Sequence, residues 1–400
     1  MIRTLLLFSF LQFAFLQGKS QEMLFKVSYD TSIITGAERV DFYLNKLKGK
    51  RVAIVANQTS SIKNTHLVDS LLSLGINVKK VFSPEHGFRG NASAGEHVKS
   101  SMDVKTGLPI VSLYGTNRKP TAVQLADIDI IIFDIQDVGA RFYTYISTMH
   151  YIMEACAENK KKILILDRPN PNGFYVDGPI LEEKHKSFVG MHPIPVVHGL
   201  TVGELAKMIN GEGWLKGKVK CELEVIECIN YSHKDYYKLP IAPSPNLPNM
   251  SSVYLYPSIC FFEGTSVSVG RGTDFPFQVI GSPYVLETSY SFTPSPNVGS
   301  KNPKYKGVKC NGYNLSLFGL LYIRNTKKIY LQWLLGMNEK TKGKDFITRA
   351  SFFDLLAGTN SLRKQITEGK SVEGIHKSWE KGLKNYKLMR SNYLLYEDFE

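Results

Sequence analysis

The sequence lacks the short motifs that identify the commonest nucleotide-binding and hydrolase folds. Its first compact apolar run, 51–56, is followed by Asn57, Gln58 and Thr59 and not by a GxGxxG loop, which disfavours a nicotinamide or flavin cofactor. It also contains no GxSxG elbow and no Walker-type GxxxxGK loop. These absences exclude the simplest serine-hydrolase and nucleotide-hydrolase interpretations.

Cysteine and histidine are sparse and irregularly spaced. The five cysteines are an odd number without CxxC spacing, which argues against a zinc site and a disulfide framework. Cys221 and Cys228 flank one apparent strand, whose ends lie too far apart for a disulfide, so we expect buried thiols. The histidines, including His86 and His198, show no paired metal-ligand spacing. The sequence therefore predicts neither a metal nor a cofactor.

Charge is not concentrated in any segment. The formal net charge is +13, but the tightest basic run is only 160–162. Scattered lysines are typical of a solvated surface, and a nucleic-acid partner is disfavoured.

A long apolar run occurs only at the amino terminus. The basic residue Arg3 precedes the apolar stretch 5–16, and the small or polar residues Gly18, Ser20 and Gln21 follow it. This order is that of a secretory signal, and the stretch is short for a membrane span of about 20 residues. We therefore expect a signal peptide at 1–21 and a secreted, periplasmic protein without a membrane span.

The remaining sequence alternates between short apolar runs and helix-length segments. Runs at 51–56, 78–82, 109–114, 129–134 and 162–167 are separated by helical patterns, including 145–158. Such runs are typical of parallel strands buried on both faces. The pattern predicts an α/β fold with a Rossmann-like, doubly wound, mainly parallel sheet. Because the chain exceeds the usual size of one domain, we predict this domain at 22–211 and a smaller α/β (α+β) domain at 212–400.

Polar side chains collect directly after the predicted strands. Asn57 follows the first, Glu85 and His86 follow the second, and two further groups lie at the ends of the runs 129–134 and 162–167. Helix capping explains one short polar side chain in each loop. It does not explain why Glu85 and His86 occur together, or why the later groups contain several polar residues each. The carboxyl ends of parallel strands form the ligand-binding edge of such a sheet, so the cluster predicts a sugar-sized site. The later groups are Asp134, Gln136, Asp137, Arg141, Asp167, Arg168, Asn170 and Asn172.

Several long strings resemble the exo-β-N-acetylmuramidase family of the NamZ type. They are SPEHGFRG at 83–90, DIQDVGARFYTY at 134–145, DRPNPNG at 167–173, DGPIL at 177–181 and FEGTSVSVGRG at 262–272. The segment 195–205, with His198, and the tyrosine-containing stretch 390–396 extend the resemblance over nearly the whole mature chain. It implies an exo-acting glycosidase that releases N-acetylmuramic acid from the non-reducing end of peptidoglycan fragments. It also implies a site in a cleft between a Rossmann-like domain and a smaller domain.

The resemblance places the family's candidate catalytic glutamate at Glu85. Glycoside hydrolysis requires an acid for the leaving oxygen, which we assign to Glu85, and a second group, for which Asp134, Asp137 and Glu263 are candidates. Alternatively, the 2-acetamido group of the substrate attacks, and no protein nucleophile is needed. The lactyl carboxylate of N-acetylmuramic acid is a natural partner for Arg141, Arg168 or Arg271. The remaining substrate-binding candidates are Asn57, His86, Gln136, Tyr143, Asn170, Asn172, His198 and Glu263.

One alternative from another class remains open at this point. Two α/β domains around a cleft also describe a non-catalytic periplasmic protein that binds muropeptides or sugars. Turnover of a muramic acid–glucosamine saccharide separates the two hypotheses.

Overall fold

A computed structural model describes residues 32–85, 87–89, 101–286, 288–341 and 345–400. Within these ranges the strands lie in three sheets. They are β1 Val52–Ala56, β2 Ser61–Ile62, β3 Thr65–His66, β4 Val78–Ser83, β5 Ser101–Met102, β6 Pro109–Ser112, β7 Ile130–Asp134, β8 Lys162–Leu166, β9 Glu222–Ile226, β10 Val279–Ser282, β11 Tyr290–Phe292 and β12 Cys310–Asn314.

The largest sheet has seven strands in the order β5-β6-β4-β1-β7-β8-β9. All neighbours in it are parallel except β5 and β6. The chain runs outward from β1 through β4 to β6 and then returns to the other side of β1 at β7. The strand order therefore reverses between β1 and β7, which is the doubly wound arrangement predicted from the apolar runs.

The two faces of this sheet carry separate hydrophobic clusters. Ala53 and Val55 belong to one cluster, whereas Val52, Ile54 and Ala56 belong to the other. All five side chains of β1 are buried. Successive side chains of a strand point to opposite faces, so a continuous apolar run is the pattern that a sheet covered on both sides requires.

The described helices cover both faces and form much of the carboxyl-terminal half. None of them is long and apolar enough to cross a membrane. Thr201 and Glu204 form the predicted capping box at the start of one helix, with Thr201 N donating to Glu204 Oε2 at 2.8 Å. The α-helices are Val40–Leu47, Leu67–Ser73, Ala122–Leu125, Tyr145–Glu158, Val202–Gly211, Met250–Ile259, Ser316–Leu321, Ile323–Thr326, Gln332–Lys340, Ala350–Ala357, Ser361–Thr367 and Val372–Arg390. Short 3-10 turns lie at Gly36–Glu38, Glu183–His185, Lys216–Lys218, Cys260–Gly264 and Ser391–Tyr393.

The first sheet extends past the boundary that the sequence predicts at 211/212. β9, Glu222–Ile226, pairs with β8 along its whole length and forms the edge of the seven-stranded sheet. Gly211, Gly213 and Gly217 break the helical pattern, but the chain then adds β9 to the seven-stranded sheet before it continues into the second half. The smaller antiparallel sheet, β10-β12-β11, follows later.

The carboxyl-terminal end packs back on the first domain. Tyr386 donates to His198 O at 2.7 Å, and Arg390 donates from Nη2 to Gly199 O at 2.7 Å. Tyr396 donates to Asp167 Oδ2 at 2.7 Å. Burial raises the pKa of the Asp167 carboxyl to about 6. The tyrosine-containing stretch of the sequence therefore ties the last helix to the end of β8.

The cysteine prediction is confirmed. All five thiols are free and buried, and none forms a disulfide. Burial raises the pKa of Cys228 well above its ordinary value, which keeps this thiol neutral.

Candidate active site

A cleft opens at the carboxyl end of β4. Glu85 lies on one wall, two residues after β4 ends, and Arg271 from the second half of the chain lies on another. The cleft is thus assembled from both halves of the chain, as the family resemblance implies. The other lining residues are Phe142, Tyr143, Thr144, Tyr145, Ser244, Asn246, Leu247, Tyr256 and Phe277.

The side chain of Glu85 is half-buried and held by two neighbouring hydroxyl groups. Thr144, the residue before helix Tyr145–Glu158, donates from Oγ1 to Glu85 Oε2 at 3.2 Å. Tyr114, two residues after β6, is the other neighbour. Burial, together with the charge of Glu85, raises the pKa of Tyr114 to about 12, so this phenol stays protonated as a donor.

Aromatic rings form most of the remaining surface of the cleft. Tyr143 and Tyr145 pack edge to face with their centroids 4.8 Å apart. Tyr256 packs on Phe277 at 5.0 Å and on Phe142 at 5.2 Å. Both Tyr143 and Tyr145 donate to Pro243 O, at 2.9 and 3.3 Å, which fixes the loop that carries Ser244 and Asn246. An aromatic surface with a few oriented polar groups is typical of small-molecule sites.

Arg271 and Glu263 form a bidentate ion pair at the cleft. Arg271 donates from Nε and Nη2 to the Glu263 carboxylate, at 2.7 and 3.3 Å, and its side chain is 25 % exposed. Its guanidinium carbon lies 4.8 Å from the centroid of the Phe277 ring. Desolvation disfavours the charge on Arg271, but Glu263 outweighs it and raises the pKa of the guanidinium. Arg271 is therefore a permanent cation beside the cleft.

Asp134 is not among the residues that line this cleft, and the catalytic role predicted for it stays a prediction. Its carboxylate is fully buried and accepts from Arg168 Nε at 2.6 Å and from Nη2 at 2.9 Å. Burial opposes the charge on Arg168, but Asp134 raises the pKa of the guanidinium. The two residues neutralise each other beneath the end of β7. Arg168 lies outside the lining of this cleft.

Arg141 lies away from the lining of this cleft, and the substrate contact predicted for it stays a prediction. Its side chain is fully buried, and the guanidinium donates only to backbone carbonyl oxygens of the surrounding segments. Nη1 donates to Pro179 and Ile194, and Nη2 donates to Leu356 and Ala357. Arg141 therefore joins helix Ala350–Ala357 to the first domain, and its distance in sequence from those partners hid this role.

The four predicted amide side chains lie beneath the site and tie loops together. All four are buried and absent from the lining of the cleft. Gln136 donates to Pro169 O at 2.8 Å, and Asn170 donates to Leu200 O at 2.8 Å. Asn57 accepts from Thr59 N at 2.9 Å, and Asn172 donates to Val138 O at 2.9 Å. They position the strand-end loops, and the substrate contacts predicted for them stay predictions.

Asp137 and His198 form a second buried pair under the tyrosines. Asp137 Oδ2 accepts from Gly139 N at 2.7 Å and lies 3.8 Å from His198 Nε2. The negative charge of Asp137 contributes to raising the pKa of Tyr143, although burial is the larger cause. Asp137 therefore affects Tyr143, which lines the cleft, but Asp137 is not itself among the lining residues.

The structure thus brings Glu85, Tyr143 and Arg271 together, with Glu263 behind Arg271. His86 lies outside the described residues. Sequence reasoning missed Tyr114 and Thr144, although Tyr114 ends the apolar run 109–114 and Thr144 lies within the string at 134–145. It also missed Ser244, Asn246, Tyr256 and Phe277, because no local pattern shows that the second half of the chain faces Glu85.

Comparison with known proteins assigns the chain to a family. A model of the NamZ exo-β-N-acetylmuramidase amino-terminal domain matches residues 52–251, and its carboxyl-terminal counterpart matches 254–396. The peptidoglycan β-N-acetylmuramidase NamZ of Bacillus subtilis is 39% identical, over 88% of this chain and 89% of that protein. Two crystal structures of DUF1343 family proteins from Bacteroides fragilis each cover 92% of this chain and 100% of theirs. Their TM-scores are 0.84 and 0.76, at 49% and 30% identity. The chain belongs to the NamZ exo-β-N-acetylmuramidase family.

Proposed function

We propose that Glu85 is the general acid with which this exo-β-N-acetylmuramidase releases terminal N-acetylmuramic acid from peptidoglycan fragments. The observation that carries the assignment is the position of Glu85. Among the described residues that line the cleft it is the one with a carboxyl group, and hydroxyl groups orient it. Membership of a glycosidase family favours catalysis over a binding protein that lacks turnover.

In the proposed reaction the protonated Glu85 carboxyl donates its proton to the glycosidic oxygen as the bond to the sugar C1 breaks. The positive charge that develops at C1 is then captured by water, either directly or after attack by the 2-acetamido oxygen of the substrate. The attacking water loses one proton, and on the acetamido route the Glu85 carboxylate takes it up and becomes the acid again. Thr144 Oγ1 and the Tyr114 hydroxyl hold the carboxylate that remains on Glu85. Glu263 supports the site through Arg271, and Asp137 acts through the wall formed by Tyr143.

We further propose that Arg271 recognises the lactyl carboxylate of N-acetylmuramic acid. Its hydrogen bonds to Glu263 use Nε and Nη2, which leaves Nη1 for a ligand in the cleft. N-acetylglucosamine lacks this carboxylate, so the contact distinguishes the two sugars. A charge-assisted hydrogen bond is the strong kind of polar contact for such a choice.

Arg271→Met combined with Glu263→Gln is expected to lower kcat/KM for N-acetylmuramic glycosides about 10- to 100-fold, because a charged hydrogen bond is lost. The double change avoids leaving an unpaired carboxylate beside the substrate. The measurement compares kcat/KM for aryl glycosides of the two sugars. Glu263→Gln alone is the matched control and should keep the preference, since Arg271 remains. An unchanged preference in the double variant contradicts the proposal.

The proposed site of action is outside the cytoplasm, in the periplasm or its equivalent. Support comes from the basic Arg3, the apolar stretch 5–16 and the small or polar residues that follow. A cell-wall polymer as substrate agrees with this location. Mass spectrometry of protein recovered from the native cell envelope should find an amino terminus near residues 18–21. An intact Met1 in that material contradicts export with cleavage.

A further inference from the structure

A second cavity lies near the carboxyl ends of β1 and β8. It shares no lining residue with the cleft that contains Glu85. Its walls are the segment 33–38, the β2–β3 hairpin and the segment 237–240, and Arg168 lies among them. Arg168 belongs to a motif that the catalytic cleft does not use. The residue was singled out for carboxylate recognition, and it faces this second cavity.

The guanidinium of Arg168 is only partly used by the protein. The residue is 3 % exposed, and its hydrogen bonds to Asp134 and to Ser61 O come from Nε and Nη2. Nη1 has no hydrogen-bond acceptor in the part of the chain that the structure describes. Arg168 lines the cavity, and its Nε and Nη2 edge is turned to Asp134. Nη1 is not one of the buried side-chain atoms without a partner, so it is open to solvent and is the donor of this group that remains for a ligand in the cavity.

Two lysines at the cavity extend the positive charge. Lys63 and Lys238 are exposed, and neither forms a salt bridge with another described residue. Lys63 lies in the two-residue turn of the β2–β3 hairpin, with φ 52. Glu38, also in the lining, accepts from Thr35 N at 2.9 Å and from Thr35 Oγ1 at 3.0 Å. Lys63, Lys238 and Arg168 together carry three positive charges. Glu38 and Asp134, the partner of Arg168, carry two negative charges, so one positive charge is in excess.

The wall formed by 33–38 is fixed before any ligand binds. Gly36 donates to Asp167 O at 2.8 Å, and a Cβ at Gly36 would lie 2.1 Å from Ile226 O. Ile34 and Ile229 exchange backbone hydrogen bonds at 3.0 and 2.8 Å. This segment therefore lies directly on the sheet edge and does not have to be ordered at the moment of binding, which lowers the cost of association.

We propose that the second cavity binds a carboxylate group, with Arg168 Nη1 as donor and Lys63 and Lys238 supplying the attracting charge. One excess positive charge matches a monoanion better than a phosphate dianion. The carboxylate has two possible sources: a free small acid, or a peptide attached to a sugar in the cleft. Only the second source rests on the proposed function.

The second source has a structural basis. The segment 237–247 lines the second cavity at one end and the cleft at the other. Its middle is held by Gln58, whose Nε2 donates to Ala242 O at 3.2 Å and to Pro243 O at 3.0 Å. A peptide that leaves the cleft along this segment meets Lys238 and Arg168 next.

Isothermal titration tests binding with three probes: D-lactate, alanyl-glutamate and the uncharged methyl ester of D-lactate. The full-length protein carries Arg271→Met with Glu263→Gln, so that the arginine of the cleft does not contribute and Glu263 is not left as an unpaired carboxylate. D-lactate or alanyl-glutamate should bind saturably, and the ester should not. Binding should weaken with salt, because the lysines are exposed. Binding of D-lactate identifies a free-acid site, and binding of the dipeptide alone identifies a peptide-carboxylate site.

Lys63→Ala with Lys238→Ala, added to this protein, should weaken binding at least about fivefold, since each exposed charge contributes modestly. These lysines are chosen because Arg168→Ala would leave Asp134 buried and unpaired, and folding would suffer. Circular dichroism confirms that the lysine variant is folded. Absence of saturable binding, equal binding of the ester, or unchanged affinity in the lysine variant overturns the proposal. None of these results depends on turnover, so they leave the proposed function untouched.

Discussion

Glu85→Gln is expected to lower kcat for the natural disaccharide about 100- to 10,000-fold, the usual cost of losing general acid catalysis. The amide retains the size of the side chain and the contact with Thr144. It has no acid proton to give to the leaving oxygen. Binding of the substrate should therefore be largely retained, and steady-state kinetics with a muramic acid–glucosamine disaccharide measures the loss.

The leaving group separates an acid from a residue that only positions the substrate. An activated aryl leaving group departs as a phenolate with little need of a proton, so Glu85→Gln should affect such glycosides much less. Glu183→Gln is a matched control, since its side chain is 81% exposed and lies outside the cleft. An equal loss on both substrates indicates positioning. A wild-type rate on the disaccharide removes Glu85 as the acid and directs attention to Glu263 and Asp137.

Asp134→Ala is expected to destabilise the fold by about 3–5 kcal/mol, because it leaves the Arg168 charge buried without its partner. Both side chains are almost completely buried, at 0% and 3% exposure. Chemical denaturation followed by circular dichroism measures the change in the free energy of unfolding. Asp134→Ala combined with Arg168→Met removes both charges and should recover much of that loss.

A second ion pair in the same sheet provides the control. Asp129 and Arg51 form a comparable bidentate pair with side chains 32% and 44% exposed. Asp129→Ala should therefore leave the unfolding midpoint nearly unchanged, since water screens exposed charges. If Asp134→Ala is as stable as Asp129→Ala, the buried pair of Asp134 and Arg168 does not stabilise the fold. If the double variant is stable but lacks turnover on the disaccharide, the catalytic role predicted for Asp134 returns.

The predicted site residues fall into two groups: some line the cleft, and others bind backbone oxygens of segments that come much later in the sequence. Glu85 and Tyr143 belong to strings next to strand ends, and they line the cleft as the position of those strings indicates. Asn170 and Arg141 occur in equally polar strings but are turned inward, to Leu200 O and to Ala357 O. A sequence pattern shows that a polar group follows a strand. It does not show whether that group faces the ligand or a backbone carbonyl of a later segment.

The sequence by itself determined the parallel sheet, the order of strands and helices, the family, and the loop that carries Glu85. These properties depend on local hydrophobic patterns and contiguous motifs. The tertiary structure alone decided that Arg271 joins Glu85, that Asp134 is neutralised by Arg168, and that Arg168 faces a separate cavity. Each of those outcomes depends on which of several arginines approaches which carboxylate. The choice is made by packing between distant segments: Asp134 and Arg168 are 34 residues apart, and Glu85 and Arg271 come from different halves of the chain, so a single sequence carries no local signal for either contact.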